Sequence, residues 1–237
     1  MFTYFRTKAF FLKEKEYGED SKIFDVFTKN FGKIKVFGKA IRKVKSKLRA
    51  GTEIFSVSEI EFIQGKIHKT LTDVVLIDKF ENLKINNNKF QIVSKISKDL
   101  EKLVHGEEKD NKIWELLEKT FRRLNTNAKI SDWQLKIIYY FFFYNLISIL
   151  GYKPELYYCH ICHKKLSKEN IYLFSKKNGI ICESCFQKMN KIKKKEYLNI
   201  NINSIKILRI ILKKDWKTLQ RLKIKQEDKD NLNNLLN

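Results

Sequence analysis

Four cysteines are the whole cysteine content of the 237-residue chain, and they fall in two pairs, Cys159-x2-Cys162 and Cys182-x2-Cys185, with 19 residues between the pairs. A CxxC pair at a tight turn sets two sulfurs at a spacing that suits one metal ion, and a second knuckle completes a tetrahedral sphere of four thiolates. The pattern predicts one Zn2+ held by Cys159, Cys162, Cys182 and Cys185. A closed tetrathiolate sphere leaves no position for water, so the ion is expected to be structural and not catalytic. The alternatives are two disulfides, four free thiols or a redox pair. A cytoplasmic setting opposes the first, the paired spacing opposes the second, and a compact hairpin framed by both pairs fits metal better than thiol exchange. His160 and His163 flank the first knuckle, but four thiolates need neither.

The second chemical feature is charge. Lys and Arg number 49 against 27 Asp and Glu, a net charge of +22. Such a chain attracts polyanions, nucleic acid before an anionic membrane, because binding releases condensed counterions. An A+T-rich genome would also load a chain with Lys, Ile and Asn, so clustering is the sharper criterion. Between Val26 and Thr52 stand Lys29, Lys33, Lys35, Lys39, Arg42, Lys43, Lys45, Lys47 and Arg49, with no acidic residue. Along 33–40 the alternation puts Lys33, Lys35, Phe37 and Lys39 on one face and Ile34, Val36, Gly38 and Ala40 on the other. A cationic face holding an aromatic ring suits single-stranded nucleic acid, lysines tracking phosphates and the ring stacking on a base. Phe37 can be that platform, or it can cover the barrel or pack on the helices. Arg42–Arg49 reads as a mobile loop that wraps the backbone without reading sequence. A second cluster, Lys188, Lys191, Lys193, Lys194 and Lys195, either extends the track or forms a solvated helix face.

These residues need elements to position them. Runs of aromatic and β-branched residues, broken by Gly or charged turns, predict strands over 5–13, 22–29, 33–40, 53–63 and 66–78. Five short strands within about 80 residues suggest a small closed barrel such as an OB-fold. After Asn86–Asn88 the period lengthens towards 3.6: Ile92, Ile96, Leu100, Leu103 and Val104 share one helical face, and Ile113, Leu116, Leu117, Phe121 and Leu124 another. Ser131-Asp132 can cap a long apolar helix through Leu150 that ends at Gly151, before Pro154, the only proline. Helical patterns resume at 186–195, 204–213 and 216–236. The expected architecture is α+β: an N-terminal five-stranded OB-fold β-barrel domain over 1–80, then a helical domain over 81–237 carrying a four-cysteine zinc insert at 157–187.

Several function classes lack their usual residues. No GxxxxGK[ST] loop and no GxGxxG helix start is present, so nucleotide hydrolysis and dinucleotide chemistry have no phosphate cradle. The acidic residues form no tight cluster for two magnesium ions, and His68 and His105 have no nucleophile beside them in sequence. The chain is therefore read as a non-enzyme. Phe10-Phe11-Leu12 is too short for a signal-peptide core. The uncharged stretch 137–152 falls short of the roughly 20 residues that span a bilayer and holds Asn145, Ser148 and Gly151, so it reads as a buried helix. A cytoplasmic protein without a membrane partner is expected.

The whole chain resembles the bacterial RecO family of DNA repair proteins. The similarity is carried by Ala9-Phe10-Phe11-Leu12, by Tyr17-Gly18-Glu19-Asp20-Ser21-Lys22-Ile23, by Phe27-Thr28 and Gly32-Lys33, and by Gly38-Lys39-Ala40-Ile41-Arg42 running into Lys45-Ser46-Lys47-Leu48. It returns at Leu150-Gly151-Tyr152-Lys153-Pro154-Glu155-Leu156 before the first cysteine pair, and at Phe174-Ser175 and Gly179 before the second. Where the family has Gly-Gly, this chain has Asn178-Gly179. The resemblance implies an OB-fold, a helical domain and an inserted zinc module. It also implies a nucleoid-associated recombination mediator of the RecFOR pathway. Such a mediator binds single- and double-stranded DNA, anneals complementary strands, and acts with RecR and the C-terminal tail of the single-strand-binding protein to load RecA.

Overall fold

A computed structural model describes residues 3–65, 67–166, 172–175, 179–195 and 197–236. Five strands, β1 (Tyr4–Tyr17), β2 (Ser21–Thr28), β3 (Gly32–Gly38), β4 (Val57–Gln64) and β5 (Lys69–Asp78), close into a barrel in the order β1-β2-β3-β5-β4. All neighbours are antiparallel except β3 and β5, whose short parallel contact sets Val36 and Phe37 against Lys69 and Thr70. This is the OB-fold arrangement expected from five strand-like runs. The fifth run was expected to begin at Lys66, which lies outside the described residues.

The first strand is longer than its apolar run because it serves two edges. Its residues Tyr4–Phe10 pair with β4 and Ala9–Tyr17 with β2, and the register shifts between Phe11 and Lys13. Such a bulge bends a strand and lets it turn the corner of a small barrel. The bulge carbonyl of Leu12 accepts a buried 2.8 Å hydrogen bond from Ser97 Oγ. Inside the barrel, Ala9, Phe11, Phe24, Val26, Ile34, Val36, Ile60, Phe62, Leu71 and Val74 interlock. Phe10 points the other way and is also fully buried, against Phe80, Trp114 and Phe121. The apolar run 9–12 is thus covered on both faces, which is why it lacks the polar alternation of a half-exposed strand.

The helices that supply this cover are α1 (Glu81–Ile85), α2 (Asn87–Leu103) and α3 (Asn111–Leu124). Asn86 and Asp110 cap α2 and α3 by accepting from backbone N–H groups of the first turn. The buried face of α3 matches its apolar period, whereas α2 buries Lys89, Val93, Ile96, Ser97 and Leu100 and leaves Leu103 at the surface. The α2 face is therefore rotated from the sequence expectation, with Ser97 inside because it satisfies the Leu12 carbonyl. Residues Met1–Tyr139 form one compact unit and Tyr140–Asn237 a second.

The long apolar helix α4 (Asp132–Ile149) contributes to both units. A capping box starts it: Ser131 Oγ accepts from the Gln134 N–H, and Gln134 Oε1 accepts from the Ser131 N–H. Gly151, at φ +90°, ends it in a Schellman turn with Gly151 N–H donating to Ser148 O and Tyr152 N–H to Ile147 O. No helix among the described residues is long and apolar enough to cross a membrane. The second unit adds a three-stranded sheet of β6 (Tyr172–Ser175), β7 (Gly179–Cys182) and β8 (Leu198–Ile200), ordered β7-β6-β8. Its helices are α5 (Glu183–Gln187), α6 (Lys191–Lys194), α7 (Ile202–Leu212), α8 (Trp216–Arg221) and α9 (Gln226–Leu236). Two expected helices, over 186–195 and 216–236, are each divided in two, and β8 was not foreseen. β8 is only three residues long, and its Leu198-Asn199-Ile200 alternation runs straight into the start of α7.

Candidate metal centre and nucleic-acid interface

The first cysteine knuckle sits at the tip of a small hairpin. Its arms are tied by Leu166 N–H to Tyr157 O at 3.1 Å and Cys159 N–H to Lys164 O at 2.9 Å. The turn itself is closed by His163 N–H to Cys159 O, and His163 takes a left-handed φ of +57°. The hairpin base is fixed by Glu155 Oε1, which accepts from the Tyr157 and Tyr158 N–H groups, and by Arg209, whose Nε donates to Leu156 O. The second knuckle joins a strand to a helix: Cys182 ends β7 and caps α5, and Cys185 lies in the first turn of α5.

Gly179 brings the two halves together. Its φ is +90°, and a side chain there would collide with the backbone N and O of Glu155. That close approach lets Ile180 N–H donate to Glu155 O at 2.9 Å and His160 N–H to Ile180 O at 2.8 Å. Only glycine takes this position without strain.

The result is a tetrad. The Sγ atoms of Cys159, Cys162, Cys182 and Cys185 all lie within 4.8 Å of one another, and Cys162 and Cys182 are 3.8 Å apart. A tetrahedron with metal–sulfur bonds of about 2.3 Å has edges of about 3.8 Å. None of the four is in a disulfide, and His160 and His163 are exposed and outside the cluster. Burial opposes ionisation at Cys159, Cys182 and Cys185, yet the environment favours the thiolate at two of these. Against that burial, Cys182 is drawn down to about 6 by the hydroxyl of Ser184 and the backbone N–H of Cys185. Cys159 is likewise lowered, despite its burial, by N–H groups of Cys162, Cys182 and Ile161. Burial and the neighbouring sulfurs push Cys185 up to about 12. Four convergent sulfurs with N–H groups aimed at them can hold one metal ion.

The basic stretch is more varied than its composition suggests. On β3 the alternation holds: Ile34 and Val36 enter the core, while Lys33, Lys35 and Phe37 face outward. Lys33 is not free for a ligand. Its Nζ donates to Glu101 O near the C-terminus of α2, where a cation complements the helix dipole, and burial lowers its pKa. Lys35 is 78% exposed, with Asp25 at 4.0 Å. Arg42 pairs with Glu16 at 3.4 Å and Lys43 with Asp20 at 3.5 Å. Lys29, Lys39, Lys45, Lys47 and Arg49 are exposed and make no ion pair among the described residues, though Arg49 lines a cleft of about 640 Å3 that also contains Glu14, Glu16 and Glu53.

The segment carrying Arg42–Arg49 is a chain of turns fastened at both ends. Ile41 and Leu48 pack on the barrel core, and Arg42 N–H donates to Asp20 O. In the second unit, Lys194 Nζ lies over the Phe186 ring and donates to Gln187 O, while Lys188 and Lys195 are exposed. The side chains of Lys191 and Lys193 lie outside what is described.

Phe37 is half-buried, and the structure gives it two companions that sequence reasoning missed. Its ring lies 5.4 Å from Tyr17 and 5.4 Å from His68, and those two are 5.8 Å apart. Pairing puts Lys15, Ile23 and Phe37 in one row across β1, β2 and β3, with Tyr17 two residues beyond Lys15 on the same face. Lys15, exposed and without an ion pair among the described residues, was also overlooked. Tyr17 reads locally as part of a turn and His68 as an isolated histidine. Only the order of the barrel strands marks the β1–β2 and β4–β5 turns as neighbours of one face.

Comparison with known proteins decides the family. The model described as Recombination protein O N terminal matches residues 1–80, and that described as Recombination protein O C terminal matches residues 78–237. The chain belongs to the RecO family. A DNA repair protein RecO of Dehalococcoides mccartyi (strain 195) is 32% identical over 226 residues, covering 94% of this chain and 84% of the relative. RecO of Alkaliphilus metalliredigens is 28% identical over 232 residues, covering 98% and 90%, and that of Halalkalibacterium halodurans 25% over 231 residues, covering 98% and 86%. The N-terminal RecO match coincides with the closed barrel, and the C-terminal one contains all four cysteines.

Proposed function

We propose that this RecO family member is a non-catalytic recombination mediator that binds single- and double-stranded DNA and anneals complementary strands. In this reading it works in the cytoplasm at the nucleoid and, with RecR and the tail of the single-strand-binding protein, helps RecA load. The observation that carries the reading is the outer face of β1, β2 and β3. There, exposed Lys15 and Lys35 flank half-buried Phe37, and the exposed cations Lys39, Lys45 and Lys47 follow directly. Cations placed so can follow a phosphate backbone, and they supply affinity that falls steeply with salt. Annealing then needs no nucleotide hydrolysis, because the cationic surface lowers the repulsion between two strands while base pairing supplies the free energy.

The tetrad is assigned to one structural zinc ion. Cys159, Cys162, Cys182 and Cys185 would hold it as thiolates, and the ion would crosslink a hairpin, a strand and a helix start with no coordination position left for water.

Strand annealing of complementary oligonucleotides without ATP tests the reading. The fourfold variant Lys35→Ala, Lys39→Ala, Lys45→Ala, Lys47→Ala should lower affinity for single-stranded DNA at least tenfold. The slope of log affinity against log salt should fall by up to about 3. Unchanged binding by the folded variant, or a large preference for RNA of the same sequence, would reject it.

A further inference from the structure

We propose that Tyr17, Phe37 and His68 form a base-stacking subsite by which the barrel distinguishes unpaired from paired DNA. This rests on the DNA-binding reading above and assigns to that surface a second, separable property. Charge cannot make the distinction, since phosphates are present in both forms and lysines attract either. Stacking can. An unpaired base offers a whole ring face, whereas a base within a duplex has both faces covered by its neighbours.

The three rings come from three separate elements, the end of β1, the end of β3 and the β4–β5 turn. Their arrangement is a cluster with two orientations. Phe37 and His68 are inclined by only 31°, while Tyr17 stands nearly perpendicular to both, at 80° and 74°. The cluster remains open to solvent: Tyr17 is 50% exposed, and Phe37 and His68 are half-buried. Its members are also held in place. Phe37 sits in the barrel ladder between Ile23 and Thr70, and the His68 carbonyl accepts from Gly65 N–H at 3.0 Å in a turn too tight for a side chain at position 65. Rings fixed before binding lose little rotamer entropy when a base arrives.

The occupant is indicated by the surroundings. Lys15 lies in the same cross-strand row as Phe37, and Lys35 two residues before it on the same face. Arg42 and Lys43 are paired to Glu16 and Asp20, on either side of Tyr17 in the first hairpin. Aromatic rings bordered by cations match a strand whose bases are apolar on their faces and whose backbone is anionic.

The test uses the full-length chain and three probes of equal length: an oligothymidylate strand, an abasic strand with the same backbone, and a hairpin duplex. The wild type should bind oligothymidylate about tenfold or more above the abasic strand, the worth of roughly one stacked base. The variant Tyr17→Ala, Phe37→Leu, His68→Ala should lose that preference, with abasic and duplex affinities within about twofold of wild type. Tyr17→Phe, which keeps the ring, should behave as wild type, and thermal melting should show both variants folded. Equal loss on all three probes, or no loss on oligothymidylate, would overturn the proposal while leaving the cationic surface intact. The wild-type comparison of oligothymidylate with the abasic strand holds even if a variant fails to fold, and equal affinities there would overturn it too. A wild type that binds neither strand nor duplex in a salt-dependent way would instead remove the DNA-binding reading itself.

Discussion

The barrel and the cysteine module are both built from short hairpins, yet different physics holds each together. The barrel closes its sheet, so each strand has two partners, and it surrounds a core that includes Phe11, Phe24, Ile34, Ile60, Phe62 and Leu71. The module has strands of four, four and three residues; one face of the sheet buries Tyr172, Phe174, Ile180 and Ile200, and the cysteine side has only a small buried set of Cys159, Leu173, Ile181 and Tyr197. On the cysteine side so little apolar burial does not offset the conformational entropy of ordering the hairpin and the helix start. A crosslink has to make up the difference, and the tetrad stands at the junction where one is needed. The comparison teaches that the same chain uses a hydrophobic interior where the sheet can close and gathers four sulfurs able to hold a metal ion where it cannot.

Removing the metal should break the comparison most sharply. Chelation, or Cys159→Ser, should open 157–187 to proteolysis while residues 3–65 stay protected, because metal binding and folding are one free energy in such modules, about 10–16 kcal/mol in small zinc domains. Peptide mapping after limited proteolysis reads the result, and simultaneous loss of barrel protection would show that the two regions do not differ as argued. The next largest effect lies in the barrel. Phe11→Ala should cost about 3–5 kcal/mol by leaving a cavity, whereas Leu173→Ala in the metal-bound protein should cost about 2 kcal/mol. Denaturant unfolding checks both, and equal costs would mean that the module depends on its core as much as the barrel does. The smallest effect concerns charge. Glu16→Gln with Asp20→Asn releases Arg42 and Lys43, and should tighten DNA binding about twofold at low salt with no gain at high salt. Weaker binding would show that the pairs hold those cations in place for the ligand.

Much of the fold was legible in the residues because its signals are local. Alternation over 33–38 assigns faces on β3, Ser131-Asp132 announce the start of α4, and two CxxC pairs announce the tetrad. What was less legible had a signal too short to read or depended on partners distant in the chain. The β8 strand buries one residue, Leu222–Lys225 divides the final helical pattern, and α2 turns a serine inward to meet the Leu12 carbonyl.

The residues by themselves determined the five barrel strands, the longer helices and which side chains can ligate metal or carry charge, since those properties depend on near neighbours and side-chain chemistry. Tertiary structure alone decided which of the charges are committed and which rings meet. Lys33 is bound to a carbonyl 68 positions away, and Tyr17, Phe37 and His68 meet only because a parallel contact between β3 and β5 closes the barrel. The reason is physical: backbone periodicity assigns a side chain to a face, but what covers that face, or leaves it open, is set by segments distant in the chain.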